Sequence, residues 1–287
     1  MKNEKISRFG YWNGNIVPAE EIAISPCDIG ILRGYGVFDV LRTEGRMPFL
    51  WERHWERLLR SAETLGLSVP IKKETYYDVL IRLSEKFGED RAVIRTVVTG
   101  GVSSDGFSLA ETPTFYVLIE PFPVLPQEYF ERGVSIITVE YARAYPTAKT
   151  TNYVEAIRCS RERAERGAFE ICYVSDGKVL EGSMSNVGIV QKGKVVLPKD
   201  GILPGITREE VVEIAHEAEM NIEERSMLIE ELFAADEVFL MATNKYVLPV
   251  VLVDGKKIGT GMPGTVSQDL LYRMNERIRE FRQKNLA

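Results

Sequence analysis

The chain has 287 residues, 45% of them hydrophobic and 27% charged, with a net charge of −6. That make-up suits an ordinary folded protein with a substantial core, in one large domain or, as we expect, two smaller ones. Charges of both signs are interspersed, and without a basic stripe to neutralise phosphates nucleic acid is not an expected partner. The N-terminal MKNEKISRFG lacks the apolar core of a signal peptide, and no run of about eighteen uncharged apolar residues occurs, so we expect a cytoplasmic protein without a membrane partner. Cys27, Cys159 and Cys172 contain no CxxC pair; they argue against a disulfide framework or a zinc site and read as buried thiols. His54 and His216 lie in charged stretches of helical spacing and read as satisfied surface or boundary residues. Neither Ser-His-Asp nor His-ligated metal chemistry is expected.

In chain order, Asn13-Gly14 signals a hairpin. Residues 36–43 read as a strand, followed by a turn at Glu44-Gly45 and a second strand in RMPFL. Helical spacing of Trp55, Leu58, Leu59, Ala62 and Leu65 predicts a helix over 51–66 ended by Gly66, and another follows near 73–87. Two β-rich runs occupy 91–99 and 112–120. The prolines at 121, 123 and 126 predict a stiff extended connector. The expected division is a small N-terminal α/β domain at 1–120, a linker at 121–132 and a larger domain at 133–287 with a mainly β core flanked by helices. In the latter, strands are predicted near 133–140, 169–175, 178–181, 185–191, 194–197, 235–241 and 246–253. Helices are predicted near 152–167, 207–219 and 264–284, the last with an apolar stripe from Val266 to Phe281.

Two segments carry the chemistry: Lys149-Thr150-Thr151-Asn152-Tyr153, and Glu181-Gly182-Ser183-Met184-Ser185-Asn186. A lysine in a polar linker is ordinarily solvated, and a glutamate after Asp176-Gly177-Lys178 is ordinarily an exposed turn residue. Together they supply an amine that can form an imine and a carboxylate that can keep a pyridine nitrogen protonated, the pair that pyridoxal phosphate chemistry needs. Thr207 to Glu210 fits a T-x-x-E capping box, and the helix start it marks suits a phosphate as well as a plain cap. Gly205 permits close backbone approach, and Thr243 ends an apolar run. Gly259-Thr260-Gly261-Met262-Pro263-Gly264 matches GxGxxG but follows a hairpin and precedes the last helix, so no βαβ unit surrounds it.

These segments, with Leu203-Pro204-Gly205-Ile206-Thr207-Arg208, occur in the order and spacing of the class IV aminotransferases, the fold type IV family, which the chain resembles over nearly its whole length. Gly34 to Asp39 resembles the family's GxxVFE strand, His54 to Leu58 its HxxRL helix, and Val93-Ile94-Arg95 the YIR of branched-chain enzymes. The resemblance implies pyridoxal 5'-phosphate as cofactor, Lys149 as the catalytic lysine, Glu181 at the pyridine nitrogen and Tyr153 near the ring hydroxyl. It implies Arg57, Ile206, Thr207 and Thr243 at the phosphate, with Ser185, Asn186 and Asn244 completing the cofactor set. Two positions depart from the pattern: Gly188 stands where an aromatic is usual, and Leu197-Pro198 replaces a Thr-Pro.

For substrate, the candidates are Arg33, Tyr35, Phe38, Arg95 and Arg143. Arg95 shares a strand face with Val93 and Val97 and is either a structural salt bridge or a carboxylate clamp. Arg33 stands where relatives usually carry an aromatic, and its guanidinium adds a planar site for a carboxylate. The implied enzyme is a homodimer whose pocket is completed by Arg33 and Arg95 of the neighbouring subunit. It would move an amino group between an amino acid, D-alanine or D-glutamate favoured, and a 2-oxo acid such as 2-oxoglutarate or pyruvate. A branched-chain L-amino acid aminotransferase, a 4-amino-4-deoxychorismate lyase and a non-catalytic binding protein of the same fold remain alternatives.

Overall fold

The computed structural model describes residues 8–286. Met1–Ser7, which hold most of the stretch read for a signal peptide, and Ala287 lie outside the described residues. The chain forms two compact units. The first takes the described part of Met1–Pro123 together with Ala148–Asn152 and Glu280–Ala287; the second takes Val124–Thr147 and Tyr153–Arg279.

In the first unit, β1 (Phe9–Trp12) and β2 (Asn15–Pro18) form the predicted hairpin, with Asn13 and Gly14 at φ 47° and 87° as a type I′ turn requires. There follow α1 (Ile29–Leu32), β3 (Gly36–Glu44), β4 (Met47–Pro48), α2 (Trp51–Thr64), α3 (Lys73–Phe87), β5 (Ala92–Thr99) and β6 (Thr114–Pro121). The strands make one antiparallel sheet in the order β2-β1-β6-β5-β3-β4. Alternation sorts its faces: Val37 and Leu41 of β3 and Ile94 and Val98 of β5 join Trp55, Leu58 and Ala62 of α2 and Tyr76, Val79, Leu80 and Leu83 of α3 in one core. Asp39 lies between Val37 and Leu41 on that same helix-covered face, whereas Phe38 and Arg95 belong to the other.

The second unit contains α4 (Gln127–Arg132), β7 (Val134–Glu140), α5 (Val154–Arg158), α6 (Ser160–Glu165), β8 (Glu170–Ser175), β9 (Lys178–Gly182), β10 (Asn186–Gln191), β11 (Lys194–Leu197) and α7 (Ile206–Glu217). It continues with β12 (Ile222–Glu224), β13 (Met227–Leu228), α8 (Ile229–Phe233), β14 (Glu237–Ala242), β15 (Tyr246–Val253), β16 (Lys256–Lys257) and α9 (Thr265–Leu286), whose last turns count with the first unit. A mixed sheet runs β12-β11-β10-β14-β15-β7-β8-β9-β13, with β16 on β15. Its core is built from β-branched strand residues such as Val187, Ile189, Val238 and Val250.

The mixed α/β architecture agrees with the sequence reading, and several details differ. The connector is extended only to Pro126; Gln127–Arg132 is a helix that starts after a proline and ends at Gly133 with φ 76°. The helix expected over 152–167 is two short ones with Cys159 between them, its N–H still donating to Glu155 O and its O accepting from Arg163 N. β12, β13 and α8 carry no local signal; the two strands exist by pairing with β11 and β9. Cys159 and Cys172 are buried as expected, but Cys27 is exposed. No helix among the described residues is long and apolar enough to cross a membrane.

Candidate active site

Lys149 belongs to a five-residue segment that runs along the edge of β3 not taken by β5. Phe38 N donates to Lys149 O at 2.9 Å, Thr151 N to Gly36 O at 2.9 Å, and Thr151 Oγ1 to Gly34 O at 3.0 Å. Lys149 N donates to Ser61 Oγ on α2 at 3.0 Å. Its Nζ lies 4.6 Å from the centre of the Phe38 ring, and the guanidinium of Arg95 lies 5.6 Å from the same ring. The segment thus anchors the lysine backbone on two sides and sets its amine against an aromatic face.

Arg57 is one turn from Ser61 on the same stripe of α2. Its Nε donates to Asp39 Oδ2 at 2.8 Å and its Nη2 to Oδ1 at 2.9 Å, while His54 Nδ1 meets Asp39 Oδ1 at 2.6 Å. Burial works to raise the pKa of Asp39, but Arg57 and His54 overcome it and hold the carboxyl well below the usual range. Burial pushes His54 down more than Asp39 pulls it up, with Arg57 and Lys149 adding to the decrease, so the imidazole is neutral at pH 7. His54 is therefore a buried member of a charged group, a correction to its reading as a surface or boundary residue; His216 is exposed as expected.

In the second unit, Glu181 is the next-to-last residue of β9 and is 5% exposed, which removes the exposed-turn reading. Its Oε1 accepts from Arg143 Nε at 2.7 Å and its Oε2 from Leu203 N at 2.9 Å. Leu203 O accepts from Asn186 Nδ2 at 2.9 Å, so the loop before α7 is tied to the ends of both β9 and β10. Gly205 is the N-cap of α7 without a side-chain cap; a Cβ there would stand 1.8 Å from Asn186 Oδ1. The capping-box reading of Thr207 is corrected: Ile206 is the first helical residue, Thr207 lies inside the first turn, and Glu210 is buried against Arg277. The first amides of α7 remain outside the helix's own hydrogen bonds, a ready site for an anion. Thr243 and Asn244 lie in the turn between β14 and β15, and Tyr153 precedes α5.

The remaining substrate candidates each have their own partners. Tyr35 donates its hydroxyl to Leu65 O at 2.7 Å and packs against the first unit's core. Arg33 is exposed after α1, stacked 4.5 Å over Phe107. Arg95 pairs with Glu120 at 3.5 Å and stands beside Phe38 of its own chain, because β5 and β3 are neighbours. Arg143 is engaged by Glu181 and by the carbonyls of Tyr145 and Pro146. Gly188 faces Phe239, whose Cζ a Cβ would approach to 2.5 Å, so a ring from β14 covers the position where an aromatic is usual. Sequence reasoning did not single out Asp39, Ser61, Glu170 or Lys245 as site residues; the only signal was a set of polar residues on apolar stripes. Among the described residues no cluster suited to a metal ion occurs.

The family profile described as amino-transferase class IV matches residues 36–253. A Methanocaldococcus jannaschii protein, provisionally named a branched-chain-amino-acid aminotransferase, is 30% identical over 284 residues, covering 96% of each chain. The D-alanine aminotransferase of Bacillus licheniformis is 29% identical over 263 residues, covering 90% of this chain and 93% of that one. Among solved structures, the branched-chain aminotransferase of Thermoproteus uzoniensis with norvaline has a TM-score of 0.84 at 30% identity, covering 95% of each chain. A branched-chain amino acid aminotransferase from T.th., solved with pyridoxamine 5'-phosphate, has a TM-score of 0.87 at 26% identity, covering 95% of this chain and 94% of that one.

Proposed function

Because the chain belongs to the class IV aminotransferases, we propose that it is a pyridoxal-phosphate-dependent transaminase acting on an amino acid and a 2-oxo acid, with D-alanine and D-glutamate favoured as donors. The observation that carries the reading is the Phe38 ring, with the Lys149 amine at 4.6 Å and the Arg95 guanidinium at 5.6 Å. An amine that can act on an α-carbon then has a cation nearby for the substrate's carboxylate.

The residues fit the cofactor. The uncapped start of α7 and the Asp39-oriented Arg57 suit a phosphate, the buried Glu181 suits a protonated ring nitrogen, and Lys149 suits an aldehyde. When bound, pyridoxal phosphate supplies an aldehyde that condenses with amines and a ring that accepts the electron pair left by proton removal. Lys149 would hold the cofactor covalently and, once displaced by the substrate amine, carry the α-proton. Glu181 would keep the ring nitrogen charged, with Arg143 and Leu203 N fixing its carboxylate. Tyr153 would face the ring hydroxyl; Ser185, Asn186, Ile206, Thr207, Thr243 and Asn244 would complete the cofactor contacts. Arg95 would take a substrate carboxylate by exchanging its partly exposed contact with Glu120.

We propose further that the active form is a homodimer in which a second copy presents its Arg33. Exposed Ile31, Leu32 and Phe107 around that arginine support this. A second reading, transamination of branched-chain L-amino acids, is favoured by the Methanocaldococcus jannaschii and Thermoproteus uzoniensis matches. Borohydride reduction of protein incubated with pyridoxal phosphate, followed by peptide mapping, tests the shared core of both. Label on Lys149 is expected; label on another lysine or none overturns it.

A further inference from the structure

Lys245 is a cation that the chemistry above does not use. A lysine in a hairpin turn is ordinarily solvated, yet this one is 3% exposed. Its Nζ meets Glu170 Oε2 at 2.5 Å and Ser185 Oγ at 2.7 Å, with the Phe169 ring 5.5 Å away. Glu170, on β8, is fully buried; it also accepts from Met184 N at 2.6 Å and from Ser185 Oγ at 2.9 Å. Taking both charges out of water is costly, and a well-packed apolar pair often serves stability as well, so what the pair adds is the geometry it holds.

That geometry involves two turns. Glu170 organises the one that follows Glu181: it receives the Met184 amide and the Ser185 hydroxyl. Gly182 comes so near that a Cβ there would stand 2.6 Å from Glu170 Oε1. Lys245 closes the other, its N–H donating to Ala242 O at 3.0 Å, before Tyr246 leaves it with a left-handed φ of 57°. One ion pair therefore joins the turn that carries Ser185 and Asn186 to the turn that carries Thr243 and Asn244.

We infer that Lys245 is a positioning residue: through Glu170 and Ser185 it holds these two cofactor-binding turns in register, so that contacts to the cofactor from both are made together. The inference rests on the pyridoxal phosphate reading above. The test uses Lys245→Met and the double variant Glu170→Gln with Lys245→Met, measuring pyridoxal phosphate affinity by absorbance titration and apo-protein stability by denaturant midpoint. The single variant leaves a buried carboxylate without its cation and is expected to lose both. In the double variant the side-chain amide introduced at position 170 still accepts from Met184 N and donates to Ser185, so the midpoint is expected to return toward the parent. Affinity is expected to stay lower by on the order of tenfold or more, the worth of one charge-assisted contact.

Parental affinity in the double variant overturns the inference, since the pair would then serve folding alone. Hydrogen exchange on the parent gives a second measurement that needs no variant. Cofactor binding is expected to protect the amides of residues 184 and 245 by similar factors, and protection of one turn only also overturns the inference. A parent that binds no pyridoxal phosphate at all overturns the cofactor reading and the inference with it.

Discussion

Asp39 accepts from Arg57 through two nitrogens and from the His54 ring, so a carboxylate that burial pushes toward protonation stays charged and fixes the plane of the guanidinium. His54 carries the cost of this arrangement, since the folded protein keeps it neutral. Its pKa in the folded state lies below the unfolded value near 6.5, so its contribution is full above that pH and is lost as pH falls toward the folded pKa. Asp39, also depressed, adds a second loss only below the unfolded carboxylate range. We expect apo-protein stability to fall as pH drops below about 6.5, by at most about 1.4 kcal/mol per pH unit from His54. Denaturant unfolding at a series of pH values checks it: His54→Gln, which can still donate to Asp39, should flatten this part of the profile. An unchanged slope would show that another group titrates there.

The elements that present the candidate groups differ in how much of their form the local sequence dictates. In α7 the start is set by contact with a distant strand end, because Gly205 has no room for a side chain beside Asn186. Gly205→Ala, with an ordinary φ of −83°, should move the helix start or Asn186, at about 1–3 kcal/mol in stability. Pyridoxal phosphate affinity should fall at the same time; a titration showing parental affinity would separate this helix from the phosphate. The same contrast explains what the sequence discloses. Periodicity marks β3, α2 and α3 nearly to the residue, since each buries a stripe or an alternating face of its own. β12 and β13, of three and two residues, owe their form to β11 and β9 and have no period to read. Lys149 and Glu181 are legible as candidates from their segments, but their surroundings are not: Ser61 is 88 residues from Lys149, and Glu170 is 75 from Lys245. Arg57 does stand out on α2 as a charged residue within an apolar stripe, and Asp39 does so on β3, whereas His54 reads from its charged neighbours as a surface or boundary residue. Only the packing of that helix on that strand shows that the three are partners.

At the scale of the molecule, the proposed substrate preference depends on the proposed homodimer, because Arg33 is exposed and stacked on Phe107. Sedimentation of the parent should give a dimer. Arg33→Leu should remain dimeric and lose roughly ten- to a hundredfold in kcat/KM with D-glutamate, as expected for one charge-assisted hydrogen bond. Half-reactions with D- and L-amino acids check the preference directly. A parent that prefers L-leucine, or a variant unchanged on D-glutamate, would favour the branched-chain reading. The division into units has a further consequence for engineering and for descent. The chain passes from one unit to the other after Pro123, Thr147, Asn152 and Arg279, and the segment inserted between the second and third passages is the one that holds Lys149. A break at the proline-rich connector would leave β3 without the partner along its edge and carry the lysine off with the wrong fragment. Exchange of halves between relatives by a single crossover is therefore penalised, and chimaeras that keep 148–152 from the same parent as β3 should be the ones that fold.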